Sequence, residues 1–427
     1  MSKMPTRFKG EYDVVIVGCG PGGTSVAKRC AELGLDVLAV DRNLEIGTPV
    51  RCGEGLSDRS VKDLGLNMPA KCIAQEIDGA VIYSPSGKKV EVRFAESKGY
   101  IVERKIFDKW LAEEASNAGA YVQAKTNVYG LIIENGWVKG VKVKHVDLDM
   151  EIRAKVVVAA DGAESVILKQ AGLRGAKNPR FIDTGYEYEM AAIDIEDPRM
   201  IYIWLGTRIA PRGYVWSFPK GQRVSNVGIG IGSLHGSGKT AKWYLDRWIE
   251  TRPDINKGTI LEVKGGSIPV GGFMDNMVGN GILGVGDAVN QVNPIHGGGI
   301  SEAIKAGRIA GEVIADAIKK GDWSKQGLDN YNKRWWSECG ERLKRVEKGR
   351  ELFEKMTDQE LDDLSDVLKG EDLADLAHGK NIAKIAEIYA KYKLKGVKRA
   401  IVGVFTGGKE ESAKPTEIMA HSTISND

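Results

Sequence analysis

Three glycines and one aspartate near the start of the chain have the spacing of a nucleotide-binding turn. Gly18, Gly20 and Gly23 follow a short apolar run and precede a helical stretch. The first glycine permits a tight bend, the second admits a pyrophosphate to the backbone, and the third lets helix pack on strand. Asp41 ends a second apolar run, where an acidic side chain binds a ribose hydroxyl. A glycine turn alone would only pack a helix on a strand, but the complete pattern predicts a bound dinucleotide.

A buried parallel sheet is needed to position this turn, and four short apolar runs predict its strands. Two of them are Val14–Val17 and Val37–Val40, and a third, at 156–160, leads into Asp161 and Gly162. Uninterrupted apolar runs are typical of parallel strands that are covered on both faces. The carboxyl ends of such strands border the ligand crevice. The fourth run, at 282–285, ends in Gly286 and Asp287.

A second glycine cluster stands at the start of a long amphipathic helix. A loop passes through Pro294, and Gly297, Gly298 and Gly299 then open the helical stretch. A helix N-terminus offers free N–H groups and the positive end of the helix dipole to an anion. These glycines are therefore predicted to face a ligand rather than to form a flexible hinge.

The middle of the chain has the sequence pattern of a separate antiparallel sheet. Apolar and polar residues alternate between Arg180 and Gly232, and a hairpin at 77–94 is predicted to pair with this second sheet. Tyr214, Trp216 and Phe218 follow each other at period two, so all three rings face one side. Such a face could line an apolar pocket or pack in a sheet core, and the pattern alone does not separate the two.

One cysteine stands apart from the other four. Cys52 lies in a glycine-rich stretch after Asp41, and Gly47, Gly53 and Gly55 predict a loop over the ligand rather than a strand. The cysteine count is odd and contains no CxxC pair, which argues against a disulfide framework, a zinc site or an iron–sulfur cluster. The remaining cysteines are Cys19, Cys30, Cys72 and Cys339, of which Cys19 and Cys30 are expected to be small buried hydrophobes.

Composition restricts the class of protein. The 427 residues are too many for one ordinary core and predict two or three domains. The net charge of +3 gives no indication of nucleic-acid binding. No signal peptide and no membrane-spanning run is found, so a cytoplasmic protein is expected. A basic helical segment at 382–405 suggests contact with an anionic membrane surface, and the polar tail from Lys409 is expected to be disordered.

Taken together, the glycine turn with Asp41, the Asp161-Gly162 strand end, and Gly286-Asp287 with the glycine-opened helix resemble a known flavoprotein family. These are the FAD-dependent oxidoreductases with the fold of para-hydroxybenzoate hydroxylase, and the resemblance covers roughly residues 11–320. It implies an α/β fold with a Rossmann-like FAD-binding domain, an inserted antiparallel β-sheet substrate domain and a helical C-terminal region. Arg104, within an RxxFDxxL pattern, is similar to the flavin-contacting arginine of that family.

Within that family, two features resemble geranylgeranyl reductases. The stretch from Pro211 to Pro219 has the PxxYxWxFP motif that lines their isoprenoid pocket, which makes Pro211, Tyr214, Trp216 and Phe218 the predicted substrate contacts. Cys52 is similar to the cysteine in their active-site loop and is the predicted catalytic residue. The sequence departs from some members, which carry Gly-Gly where this chain has Glu54-Gly55. The archaeal branch saturates geranylgeranyl chains of ether phospholipids, and this is the predicted function.

The resemblance also implies a cofactor site and a division into domains. The predicted FAD contacts are Gly18, Gly20, Gly23, Asp41, Arg42, Arg51, Cys52, Gly53, Arg104, Val128, Asp161, Gly162, Gly286, Asp287, Pro294, Gly297, Gly298, Gly299 and Ile300, and no metal site is predicted. The predicted divisions are an FAD-binding domain in three parts (1–76, 100–179 and 264–322), a hairpin joining the substrate domain (77–99), the substrate domain (180–263) and a helical C-terminal region (323–427).

The expected reaction sets the expected partners. An isolated alkene has no carbonyl to polarise it, so reduced flavin must deliver a hydride from N5 while a proton reaches the other carbon. Cys52 is expected near the reacting carbons as a proton donor or a gate, with His296 as an alternative proton relay. An isoprenoid lipid is the expected substrate, and a ferredoxin or a transient hydride donor is the expected reductant. A membrane-attached substrate favours peripheral attachment to the cytoplasmic membrane.

Three other functions remain open on the sequence. A reductase of the same family could act on a chlorophyll precursor or a diphosphate. The same fold also serves aromatic monooxygenases, against which the PxxYxWxFP stretch argues. A prenyl-binding carrier without chemistry would have no need of the complete flavin-binding pattern that this chain contains.

Overall fold

The computed structural model describes residues 8–94, 98–366 and residue 372. Two predictions, the basic segment at 382–405 and the tail from Lys409, lie outside the described residues. Strands are labelled in chain order: β1 Glu11–Val17, β2 Val37–Val40, β3 Gly55–Ser57, β4 Ile73–Ile77, β5 Gly79–Tyr83, β6 Lys89–Arg93, β7 Gly99–Val102, β8 Tyr121–Gln123, β9 Thr126–Glu134, β10 Trp137–His145, β11 Leu148–Ala159, β12 Ile182–Ala191, β13 Met200–Leu205, β14 Tyr214–Pro219, β15 Val224–Gly232, β16 Thr259–Pro269, β17 Val278–Gly279 and β18 Ile282–Gly284.

The helices cover the sheets and form the C-terminal part of the described chain. They are α1 Pro21–Glu32, α2 Asp58–Asp63, α3 Arg104–Asn117, α4 Val166–Gln170, α5 Ala241–Glu250, α6 Pro253–Asn256, α7 Ile300–Lys320, α8 Lys325–Leu328, α9 Asn330–Trp335, α10 Glu341–Phe353 and α11 Asp358–Ser365, with a π-helical turn at Trp336–Gly340.

An eight-stranded sheet forms the first domain, with the order β17-β18-β11-β1-β2-β8 and β10 and β9 attached through β11. The pairs β1–β2, β1–β11, β2–β8 and β11–β18 are parallel. The central strands are buried, as their uninterrupted apolar sequences require. The predicted parallel sheet and the α/β fold class with an inserted antiparallel sheet are confirmed.

Helices α1 and α7 lie against each other at close range because two glycines remove side chains from their contact. A Cβ on Gly307 would lie 2.6 Å from the carbonyl oxygen of Gly22, and one on Gly311 would lie 2.7 Å from Cβ of Arg29. This close packing brings the N-terminus of α7 beside the turn that starts α1. The two helix starts therefore border the same space.

A seven-stranded sheet forms the second layer, in the order β16-β12-β15-β14-β13-β5-β6. The predicted hairpin at 77–94 joins it through β5, which pairs with β13. One face packs against α5 around Tyr188, Trp204 and Trp248, which belong to a hydrophobic core of their own. Tyr214, Trp216 and Phe218 are on the opposite face of the sheet, away from this core.

Two features of the chain between the domains differ from the sequence predictions. Gly55 does not continue the loop, since β3 begins there and joins β7 and β4 in a three-stranded sheet. The local glycine density concealed this strand because its pairing partner, Gly99–Val102, is distant in sequence. The predicted division between residues 263 and 264 falls inside β16, and the domain division as a whole stays a prediction.

The helices after residue 322 close one end of the second sheet. Thr207 donates its backbone N–H to Asp358, and Ser84 donates its hydroxyl to Asp362 at 2.5 Å. Arg212, with only 1% of its side chain exposed, pairs with Asp183 and approaches Glu354. Within residues 8–94, 98–366 and 372, no helix has the length and apolar character needed to cross a membrane.

Candidate active site

A cavity of about 1200 Å³ lies between the first and second sheets. At one end it is lined by the glycine turn between β1 and α1, and at the other by the aromatic face of β14. The Cys52 loop contributes to the wall between them. A dinucleotide site and an apolar pocket are therefore parts of one continuous space.

The glycine turn has the geometry that a pyrophosphate requires. Gly18 has a φ of +104°, and a Cβ there would lie 2.3 Å from the carbonyl oxygen of Ala160. A Cβ on Gly23 would lie 1.9 Å from the carbonyl oxygen of Gly18. A Cβ on Gly20 would meet no atom within 4 Å, and Gly20 caps α1 without a side-chain hydrogen bond. The first N–H groups of α1 are thus available to an anion beside Gly20.

The side chain of Asp41, which directly follows β2, is held in a fixed orientation by two hydrogen bonds. Its carboxylate accepts the backbone N–H of Cys19 at 3.0 Å and that of Asn43 at 2.9 Å. Both bonds fix the orientation of the side chain at the cavity wall, near Arg42 and Val128. A carboxylate so placed can accept further hydrogen bonds from ribose hydroxyls.

The other nucleotide-facing edge is formed by Gly286, Asp287 and the start of α7. Gly299 caps α7 without a side-chain hydrogen bond, so the N–H groups of this helix also face the cavity. Arg174 supports the turn by donating to the carbonyl of Ala288 and, at 2.8 Å, to Oδ1 of Asn290. Burial raises the pKa of the Asp287 carboxyl, although neighbouring guanidinium groups act against this shift.

Arg104 joins the nucleotide edge to the cysteine loop. Its guanidinium donates to both carboxylate oxygens of Asp108, at 2.9 and 2.7 Å, one helical turn further on. Its backbone N–H donates to Glu54 at 2.9 Å. Burial raises the pKa of the Cys52 thiol, and the positive charge of Arg104 lowers it to a smaller extent. The net effect is a raised pKa, so the Cys52 thiol is protonated at neutral pH.

The cysteine loop lies flat against the aromatic face. A Cβ on Gly53 would lie 3.0 and 3.1 Å from two ring carbons of Phe218 and 3.3 Å from Nε1 of Trp216. Glu54 has a φ of +73°, a region that favours glycine. Some reductases have Gly-Gly where this chain has Glu54-Gly55. The glutamate is accommodated because its carboxylate accepts hydrogen bonds from Asn226 at 2.6 Å and from Lys264 at 3.2 Å.

The three predicted substrate rings form a continuous wall. The ring centroids of Tyr214 and Trp216 are 5.7 Å apart, and those of Trp216 and Phe218 are 6.1 Å apart. The Tyr214 hydroxyl donates to the backbone carbonyl of His296 at 2.8 Å, which ties the wall to the loop before α7. All three rings border the cavity.

Glycines make room beside this wall. Gly230 is opposite Tyr214 on the neighbouring strand, and Gly185 and Gly266 continue the same row across the sheet. All three line the cavity. Neighbouring side chains lie close to this row: a Cβ on Gly185 would be 3.1 Å from Ile268, and one on Gly266 would be 3.4 Å from Arg51.

The structure brings nearly all of the predicted site residues together. Every predicted cofactor contact lines the cavity, as do the three rings and Cys52. Pro211 is not part of the lining, and its carbonyl accepts the backbone N–H of Gly232. The carboxylate of Asp161 accepts from Ser165 and from the N–H of Ile167, so it caps the short helix α4. The roles assigned to these residues stay predictions.

The sequence analysis did not find a buried polar cluster beneath the cysteine loop. Its charged members are Glu54, Lys220, Lys264, Glu187 and Glu189, joined by ion pairs. Glu187 and Glu189 alternate with tyrosines along β12, a pattern typical of a solvent-facing side. The alternation itself gave no signal of burial, and only the fold shows what covers the two glutamates.

Family comparisons agree with the architecture. Residues 182–268 match the model of the geranylgeranyl reductase catalytic domain, and residues 12–193 match that of the pyridine nucleotide-disulphide oxidoreductases. The first match covers β12–β16, which carry the aromatic wall. The second covers the glycine turn and most of the parallel sheet.

Curated relatives match over most of their length. A digeranylgeranylglycerophospholipid reductase of Methanocaldococcus jannaschii is 42% identical over 360 residues, which cover 84% of this chain and 90% of the relative. One from Methanosarcina acetivorans is 42% identical over 368 residues, covering 85% of this chain and 89% of the relative.

Solved structures share the fold. A geranylgeranyl bacteriochlorophyll reductase-like protein from Thermoplasma acidophilum has a TM-score of 0.84 at 36% identity, covering 91% of this chain and 99% of that one. A flavin-dependent brominase has a TM-score of 0.69 at 21% identity, covering 90% of this chain and 99% of the brominase. The second likeness concerns the fold alone.

Proposed function

The chain belongs to the digeranylgeranylglycerophospholipid reductase family, and we propose that it saturates geranylgeranyl C=C bonds of ether phospholipids with electrons from FAD. The observation that carries this proposal is the single cavity that joins the nucleotide cradle to the aromatic wall. A lipid chain held along that wall reaches the cofactor without leaving apolar surroundings.

The residues of the cradle fit FAD. The open space at Gly20, the two uncapped helix starts and the oriented carboxylate of Asp41 suit a pyrophosphate and a ribose. When bound and reduced, FAD supplies the hydride that an unpolarised alkene requires. Arg104 and the start of α7 would border the flavin, and Asp41 would hold the adenosine side.

The apolar wall has two tasks in this proposal. Tyr214, Trp216 and Phe218 hold the isoprenoid chain and exclude water from the reacting carbons. Gly185 and Gly230 line the cavity beside these rings. Because the alkene carries no polar group, its placement depends on the shape of this wall.

Cys52 is proposed as the proton donor. The thiol borders the cavity, and burial raises its pKa so that it carries a proton at neutral pH. Its sulfur also accepts the N–H of Glu54 at 3.2 Å, which orients the side chain. His296 is a weaker candidate for this role because its exposed ring accepts the N–H of Gly298 through Nδ1.

Attachment to a membrane surface is the second part of the proposal. A lipid substrate requires access to a bilayer, and the edge strand β16 carries exposed apolar side chains. Leu261 is 58% exposed and Val263 is 56% exposed, and Lys105 pairs with Glu262 between them. Ferredoxin or a transient hydride donor is proposed as reductant, and the cytoplasm as the compartment.

A spectrum of the purified protein is the first experiment. The protein is reduced with dithionite and then incubated with geranylgeranyl lipid in the absence of oxygen. We expect flavin bands that bleach and then return while the lipid mass rises in steps of two hydrogens. Bands that return only with oxygen would favour a monooxygenase, and a colourless protein would favour a prenyl-binding carrier.

A further inference from the structure

A row of facing residues crosses the second sheet beneath the cavity. Strand pairing places Ile203 opposite Trp216, Trp216 opposite Gly228, Gly228 opposite Glu187, and Glu187 opposite Lys264. The row is apolar at the Ile203 end and charged at the Lys264 end. Trp216 lies at the boundary between the apolar end and the charged end of the row.

The Trp216 indole extends along this row to reach the charged end. Its Nε1–H donates to Oε2 of Glu187 at 2.7 Å, and both side chains are buried, at 7% and 3% exposure. The indole passes over Gly228, where a Cβ would lie 2.4 Å from two of its ring carbons. The absence of a side chain at Gly228 and the carboxylate of Glu187 therefore together determine how the indole ring is oriented.

Glu187 is in turn connected to the cysteine loop. Lys264 lies 3.3 Å from Oε1 of Glu187 and 3.2 Å from Glu54, and it donates to Asn226 at 3.0 Å. Glu54 follows Cys52 by two residues in the loop. The ring wall and the loop are thus held by the same buried lysine.

We propose that Glu187 is a positioning residue, which fixes the Trp216 indole in the substrate wall and couples it through Lys264 to the Cys52 loop. This inference rests on the proposed function, because it assigns a task to the wall that holds the substrate. A hydrogen bond from an indole to a buried carboxylate is directional, whereas hydrophobic packing alone would leave the ring free to tilt.

The charges around Glu187 make the arrangement sensitive to pH. Burial raises the pKa of Glu187 to about 7, and Lys264 and the indole N–H act against that shift. Oε1 faces the ammonium of Lys264 at 3.3 Å, while Oε2 accepts the indole N–H. The other charged or titratable groups around it are Lys264, Lys220, Glu54, Glu189 and Cys52.

The test follows the indole itself in the FAD-loaded full-length protein. The chain has nine tryptophans, and the indole N–H signal of Trp216 in a nitrogen-15 spectrum is identified by its loss in W216F. We expect this signal to move with a midpoint near pH 7 in the wild type and to be independent of pH in E187Q. An indole signal that is the same in the wild type, E187Q and E187A at every pH would overturn the proposal.

Activity on geranylgeranyl lipid is measured in parallel. E187A removes the acceptor and should lower kcat/KM about tenfold or more, whereas E187Q keeps an acceptor oxygen and should remain within about threefold of wild type. E189Q is the matched control, since Glu189 contacts Lys220 at 2.8 Å and Lys264 at 3.5 Å but makes no bond to Trp216. It should retain both the titration and a rate within about threefold.

These measurements separate the two proposals. A wild type that reduces no lipid contradicts the proposed function, while the indole signal still tests the positioning role. Equal losses in E187A and E189Q, or an unmoved indole signal in E187A, would overturn the positioning role. If E187A does not fold, the comparison of the wild type with E187Q still decides the matter.

Discussion

Substitution of Gly228 by alanine tests whether the Trp216 indole lies flat across the sheet. The added Cβ would lie 2.4 Å from Cε2 and Cζ2 of the indole and 2.8 Å from Nε1. Carbon atoms in contact are about 3.5–4.0 Å apart, so the ring would have to move by about 1 Å or more. A movement of that size stretches the 2.7 Å bond to Glu187 beyond hydrogen-bonding distance.

The expected cost follows from these two effects. Forcing a methyl group into a packed site costs about 1–3 kcal/mol, and loss of a hydrogen bond to a charged acceptor costs about 1.5–3 kcal/mol. We therefore expect G228A to lower the free energy of unfolding by about 3–5 kcal/mol. With an unfolding entropy of about 2.1 cal/mol/K per residue, the 427 residues give a decrease in Tm of about 3–6 °C.

The neighbouring glycine on the same face of β15 supplies the control. A Cβ on Gly230 would lie 3.7 Å from its nearest atom, Cζ3 of Trp216, which is an ordinary contact. Both variants reduce the entropy of the unfolded chain equally, so their difference isolates the clash. Thermal unfolding monitored by circular dichroism should give a Tm for G228A that is several degrees below that of G230A. Equal Tm values would refute the orientation assigned to the indole.

Three further predictions concern the cysteine, the buried glutamate and the cofactor. C52A should lower anaerobic turnover about 100-fold and leave FAD binding intact, and unchanged turnover would remove Cys52 from the mechanism. The folded-state pKa of Glu187 is about 7 against an ordinary 4.5, so the stability it contributes is complete below pH 4.5 and is lost as pH rises through 7. Between pH 5.5 and 8 the wild type should therefore lose about 2 kcal/mol of unfolding free energy relative to E187Q in urea titrations, and parallel curves would contradict this. G20V should weaken FAD retention about tenfold or more because its side chain enters the phosphate space, whereas G175A, which meets no atom within 4 Å and lies off the cavity lining, should retain FAD as the wild type does.

The buried cluster also explains how a glutamate replaces glycine in the cysteine loop. The left-handed backbone at Glu54 is unfavourable for a residue with a side chain. The carboxylate compensates by accepting from Asn226 and Lys264 and by lying 3.1 Å from Lys220. Burial acts to raise the pKa of the Glu54 carboxyl, but the positive charges of Lys264 and Lys220 outweigh it and lower the pKa, so Glu54 stays charged. The loop is therefore held by an interaction that a Gly-Gly sequence does not provide.

Local pattern was sufficient where function depends on residues close together in the sequence. The glycine turn, Asp41 and the glycine start of α7 follow from spacing, because the backbone geometry of a turn or helix start is encoded by its own few residues. The period of two in Tyr214, Trp216 and Phe218 likewise placed the rings on one side. The family resemblance added FAD and the lipid substrate.

Only the tertiary structure decided which faces are buried and by what. Glu187 alternates with tyrosines along β12, as a solvent-exposed residue would. It is nevertheless buried beneath the cysteine loop, where the ammonium of Lys264 lies 3.3 Å from its carboxylate. Glu54 and Lys264 are 210 residues apart in the chain, so no local pattern could relate them. The short strand at Gly55 escaped prediction for the same reason. The sequence by itself determined which groups are present and how nearby residues are spaced, whereas the packing of the two sheets determined which of these groups meet in the cavity.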